Sequence, residues 1–155
     1  MDKIYELAEK ENVEIIERKM TGNNKGFYAD NVMMLDTRMS RKSKQSKAFE
    51  EFGHHFTSAG DIIDLKNKNN AKQEYKARAW GYEHHVPISD LVQCLLKAGD
   101  DRDYFLELLD IEPEDFFIII KHYTSKYGNC YKFDNYIVIF NPLKIIHSYI
   151  DEGGQ

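Results

Sequence analysis

The sequence predicts an α+β fold. Apolar residues recur at three- and four-residue spacing in several stretches, the mark of helices. Short β-branched and aromatic runs are split by Asp-Asn pairs, Asp30-Asn31 and Asp134-Asn135, which suit tight hairpins because both residues tolerate positive φ. The chain of 155 residues is about one domain in size. At that length a single core buries roughly 70% of the surface that the unfolded chain exposes. With 42% hydrophobic and 30% charged residues it is too apolar for a disordered chain. No apolar run approaches the roughly 20 residues that a bilayer span needs. The charged, amphipathic start MDKIYELAEKEN does not read as an export signal. Cys94 and Cys130 match no ligand or redox spacing, so they read as reduced thiols of a cytoplasmic protein.

The elements follow in order. Residues 2–11 read as a helix with Ile4, Leu7 and Ala8 on one face. Val13 to Met20, Phe27 to Ala29 and Val32 to Leu35 read as strands of a small antiparallel sheet. Ser40 is the N-cap of a helix from Arg41 to about Thr57, and Gly60 is a stop signal. A polar loop, Lys66 to Asn70, leads to a second helix from Ala71 to His85, which Pro87 ends. Ser89 is the expected cap of a third helix that closes at Gly99. Helices over 101–109 and 113–127 follow, the latter expected to bury Phe116, Phe117, Ile120 and Tyr123. A terminal hairpin, Tyr131 to Phe133 and Tyr136 to Phe140, ends at Pro142. The expected organisation is a core over 1–87 and a helical and hairpin subdomain over 88–155 packed on it.

Net charge is −5, which argues against a dedicated nucleic-acid binder. The charge is nonetheless segregated. Residues 38–47 carry Arg38, Arg41, Lys42, Lys44 and Lys47 with no acid, while 100–115 carry eight acids against one base, Arg102. Solvated helix faces account for this; orientation of a charged partner is the sharper alternative. The helices over 101–127 have the outline of a helix-turn-helix, but their acidity disfavours contact with phosphates. They read as a packing or protein-docking module.

The chemistry concentrates in Phe49-Glu50-Glu51-Phe52-Gly53-His54-His55. Residues four apart share a helix face, so Glu50 and His54 can grip one metal ion. Glu51 lies roughly 100° further round, where a carboxylate can take a proton from a water activated by the ion. Glu51 and His55 are also four apart, which makes His55 an alternative ligand. Gly53 costs a helix about 1 kcal/mol relative to alanine, so it points to close backbone approach. A catalytic site needs a third protein ligand. The second helix offers Glu74; Glu83 faces nearly the opposite side and cannot reach the same ion.

These residues carry a resemblance. The run Glu50 to His55, then Lys72-Gln73-Glu74-Tyr75-Lys76-Ala77-Arg78-Ala79-Trp80, then Val86-Pro87, resembles the ImmA/IrrE family of zincin-like metallopeptidases, in particular members borne by phages and mobile elements. The resemblance implies a minimal zincin-like domain in which two helices carry the site. It implies Glu51 as catalytic residue and Glu50, His54 and Glu74 as metal ligands, with His54 preferred over His55 because it follows Gly53. Glu50 stands where most members have histidine, giving Glu-Glu-x-x-His in place of His-Glu-x-x-His. Zinc is the expected metal; two carboxylates and one imidazole form a harder set that also admits manganese or iron. The implied partner is a protein substrate, a DNA-binding repressor, with no direct nucleic-acid or membrane contact.

Two further readings belong beside that one. A non-catalytic relative would bind a regulator without cutting it, and a DNA-binding regulator would use helices 101–127. His84 and His85 at a helix end read as dipole-stabilising surface residues, His122 and His147 as structural or exposed, and Trp80 as core. Tyr75, Lys76 and Arg78 lie near Glu74, where one of them can stabilise an oxyanion.

Overall fold

A computed structural model describes residues 1–58 and 68–148. The expected stop at Gly60 and the start of the polar loop, Lys66 and Asn67, lie outside the described residues. The chain divides into two compact units, Met1–His85 and the part from Val86 onward.

The first unit opens with α1 (Asp2–Glu11), which buries Ile4 and Ala8 and ends on Asn12 in the left-handed region, φ 54°. Strands β1 (Glu14–Arg18), β2 (Gly26–Ala29) and β3 (Val32–Asp36) form a sheet of order β1-β3-β2. The sheet is mixed, not wholly antiparallel as expected: β1 runs parallel to β3, while β2 pairs antiparallel with it. The reason is the connection between β1 and β2. It carries the chain past the middle position to the far edge, and the tight turn then returns β3 between its neighbours. Asp30 and Asn31 form that turn with φ of 49° and 62°, the conformation their residue types favour.

At the end of β3 the buried Asp36 carboxylate accepts bonds from the Arg38 backbone N–H and guanidinium. The Arg38 bonds hold Asp36 well below the usual carboxylate range. The chain then enters α2 (Arg41–Thr57), where Ser40 caps by accepting from the Ser43 N–H at 3.1 Å. Ala48, Phe49 and Phe52 turn inward and join Ile4, Val13, Met33 and Leu35 in the core.

Helix α3 (Lys68–His85) starts three residues earlier than the polar run predicts, since asparagine is a weak helix former but not a breaker. It packs against α2 through two glycines. A Cβ on Gly53 would lie 1.9 Å from the Ala77 carbonyl oxygen. One on Gly81 would lie 2.9 Å from the Phe49 carbonyl oxygen and 3.0 Å from Glu50 Cα. Neither space holds a side chain, so the two backbones touch. His85 is buried rather than at the surface, because its ring stacks on Phe49 at 4.7 Å. Trp80 is half-buried, stacked between Phe56 and His84.

The second unit holds α4 (Ile88–Ala98), α5 (Arg102–Leu109) and α6 (Pro113–Tyr127), then a sheet of β4 (Cys130–Phe133), β5 (Tyr136–Phe140) and β6 (Leu143–His147) in that order. Pro87, not Ser89, occupies the N-cap of α4. Its fixed φ suits entry into a helix, which leaves Ser89 inside. The terminal hairpin has a third strand: Pro142 ends β5 but turns the chain back, and β6 pairs antiparallel with β5. On α6, Phe116, Ile119, His122 and Tyr123 are buried, whereas Phe117 is exposed. Phe117 lies roughly 100° round the helix from Phe116, on the rim of a cavity of about 830 Å³ that Leu95, Phe105, Ile120 and Phe140 also line. The acidic stretch has a local use. Asp101 caps α5 by accepting from the Tyr104 N–H, and Glu114 and Asp115 occupy the first turn of α6, where the helix dipole favours negative charge. No described helix is long and apolar enough to cross a membrane.

Candidate metal centre

Helices α2 and α3 bring Glu50, His54 and Glu74 together. One ligand atom from each lies within 4.8 Å of the others. Glu50 and His54 come from one face of α2, one turn apart, and Glu74 reaches them from α3. The close approach at Gly53 and Gly81 makes this reach possible, because each glycine lets the backbones of the two helices that carry the clustered side chains meet. His54 Nε2 is 3.4 Å from a Glu74 carboxylate oxygen. Arg78, one turn beyond Glu74, sits with Nε 3.1 Å from Glu74 and 3.7 Å from Glu50.

Glu51 lies beside this cluster, and its side chain is only 6% exposed. Burial pushes its carboxyl above the usual range, opposed by the nearby Lys47 and His54. Lys47 Nζ is 3.0 Å from Glu51 and 3.2 Å from Glu50. Burial would lower the Lys47 pKa, but the carboxylates of Glu51 and Glu50 outweigh it and hold the ammonium charged.

His55 does not join the cluster. Its Nδ1 is hydrogen-bonded to the Tyr28 hydroxyl at 2.5 Å, and its Nε2 lies 3.3 Å from Glu11. Adjacent helix residues point about 100° apart, so the neighbour of His54 faces the sheet and α1 instead. Of the three residues near Glu74, Tyr75 and Lys76 are exposed, and Arg78 approaches the carboxylates. Glu83 is not among the three clustered groups.

Sequence reasoning passed over two residues at the site. Lys47 stands three and four residues before Glu50 and Glu51, the spacing of helical ion pairs, a signal that its place in a basic run masks. Tyr82 continues the stripe Glu74, Arg78, Tyr82 at four-residue spacing. Burial and the charges of Glu50 and Glu74 raise its pKa against Arg78 and Lys47, so the phenol stays protonated at neutral pH.

Two carboxylates and an imidazole whose donor atoms converge this closely fit a divalent cation, with nitrogen and oxygen ligands of the kind zinc takes. The negative charge gathered there already draws a guanidinium and an ammonium.

Comparison with known proteins agrees with the α+β build of a minimal zincin-like domain. No curated protein matches the chain, and no solved structure does. A peptidase family model described as the IrrE N-terminal-like domain matches residues 8–112, a stretch that contains α2, α3 and every residue of the cluster. Since that match spans more than half of the sequence, the chain belongs to the ImmA/IrrE family of metallopeptidase-like domains, peptidase family M78.

Proposed function

We propose that this chain is a cytoplasmic metal-dependent endopeptidase that cleaves a repressor-type transcription regulator of a phage or mobile element. The observation that carries the reading is the convergence of Glu50, His54 and Glu74 beside a buried carboxylate, Glu51. Glu50, His54 and Glu74 would hold the ion, zinc by preference, with manganese or iron as the alternatives that two carboxylates admit. When bound, the ion supplies Lewis acidity toward a scissile carbonyl and lowers the pKa of water.

The chain's own residues do the rest. Glu51 takes a proton from the attacking water and passes it to the leaving amine. Its burial suits the role, because a raised pKa makes the carboxyl a better carrier in both directions. Lys47 offsets the neighbouring negative charge. Arg78 orients Glu74 and adds positive charge where an oxyanion would develop. Free cysteines at Cys94 and Cys130 fit a reducing compartment.

Elemental analysis of protein purified without chelator tests the reading. One equivalent of metal is expected, lost in His54→Ala and Glu74→Ala. Glu51→Gln should keep the metal and lower cleavage of the co-expressed regulator by at least about 100-fold. A second reading, a domain that binds the regulator without cutting it, draws on Glu50 in place of histidine. Full biological activity in Glu51→Gln would favour it.

A further inference from the structure

Glu50 and Glu51 are consecutive carboxylates, and both contact one ammonium, Lys47 Nζ, at 3.2 and 3.0 Å. Their oxygens are therefore no further apart than those two distances added. A cation at Glu50 has a second carboxylate within reach of a side-chain rotation, and hard cations accept additional carboxylate oxygens readily. We propose that Lys47 is a positioning residue whose ion pair keeps Glu51 off a cation held by Glu50, His54 and Glu74. The proposal rests on the reading of those three residues as ligands.

The lysine is itself held in place. Its stem runs across Gly26, the first residue of β2, which is buried. A Cβ on Gly26 would lie 2.7 Å from both Lys47 Cγ and Cε, and 3.2 Å from Glu51 Oε1. Gly26 is not among the glycines with positive φ, so the backbone there does not call for glycine. Space does. The missing side chain is the slot through which the lysine reaches Glu51. With the ammonium fixed one helical turn from its carboxylate, Glu51 keeps an oxygen beside the site without entering it, as proton transfer requires. Lys47 also limits the charge that a cation meets, because three carboxylates, Glu50, Glu51 and Glu74, then face two side-chain cations, Lys47 and Arg78.

Titration of the full chain with Co²⁺, followed by its visible absorption bands, tests this without reference to cleavage. Lys47→Met should bind Co²⁺ about tenfold more tightly, because loss of the ammonium leaves more uncompensated negative charge facing the cation. Its bands should weaken toward a higher-coordinate pattern as Glu51 joins the ion. Adding Glu51→Gln to that variant should restore the wild-type bands. Gly26→Ala, which keeps the charge but displaces the stem, should move the bands in the same direction. Unchanged affinity and bands in Lys47→Met would overturn the proposal, as would bands that Glu51→Gln fails to restore. If circular dichroism shows Lys47→Met unfolded, Gly26→Ala decides alone, and unchanged bands there overturn it. A wild-type chain that binds no Co²⁺ would instead remove the ligand reading and this proposal with it.

Discussion

Within each of the two units of the chain, the helices pack by a different means. In Met1–His85, helices α2 and α3 meet backbone to backbone at Gly53 and Gly81, and polar side chains fill the space beside the contact. In the unit from Val86 onward, apolar side chains do the packing, with Phe105 edge-on to Phe116 at 5.3 Å and Tyr123 stacked on Phe140 at 5.9 Å. Helices that approach through glycine can set short side chains such as glutamate within ligand distance of one another. Helices spaced by phenylalanine and leucine hold them further apart, because interaxial distance follows the size of the side chains at the contact. The candidate chemistry falls in the first kind of packing.

The contact between α2 and α3 is most sensitive at Gly53. Gly53→Ala adds one methyl group, yet its Cβ would meet the Ala77 carbonyl at 1.9 Å. A loss of about 3 kcal/mol or more in urea denaturation is expected, at the upper end of overpacking costs, together with loss of metal. A change under about 1 kcal/mol would mean the helices part without consequence. The second unit should respond more mildly. Tyr123→Phe removes a buried O–H that donates to the Val86 carbonyl at 2.7 Å while leaving the stacked ring, so a cost of about 1–2 kcal/mol is expected in the same assay. The smallest effect concerns α2 alone. His55→Gln should leave the metal content unchanged, because His55 is engaged with Tyr28 and Glu11; loss of the metal would put His55 back among the ligands.

Much of this architecture is legible in the sequence because its signals are local. Ser40 caps the helix that it precedes. Asp30-Asn31 turns a hairpin because both residues accept positive φ, and Gly53 marks a close contact because nothing else fits. The parallel pairing of β1 with β3 is not local: it depends on where residues 19–25 carry the chain, and no spacing encodes that. Pro142 reads as a terminus because proline ends a strand, yet it is a corner from which β6 returns along β5. His85 reads as a surface residue from its position at a helix end, but the face it shares with the core decides its burial. At the site, the Glu50, His54 and Glu74 spacing was readable. The role of Lys47 was not, because its meaning depends on Gly26, a strand residue far away in sequence.

The glycine contacts also bear on how such a site can change over time. When main-chain atoms determine the gap between the two helices that carry the clustered groups, the gap does not depend on which side chain stands at position 50. A carboxylate can then replace an imidazole there, altering preference among ions, while the scaffold around it needs no remodelling.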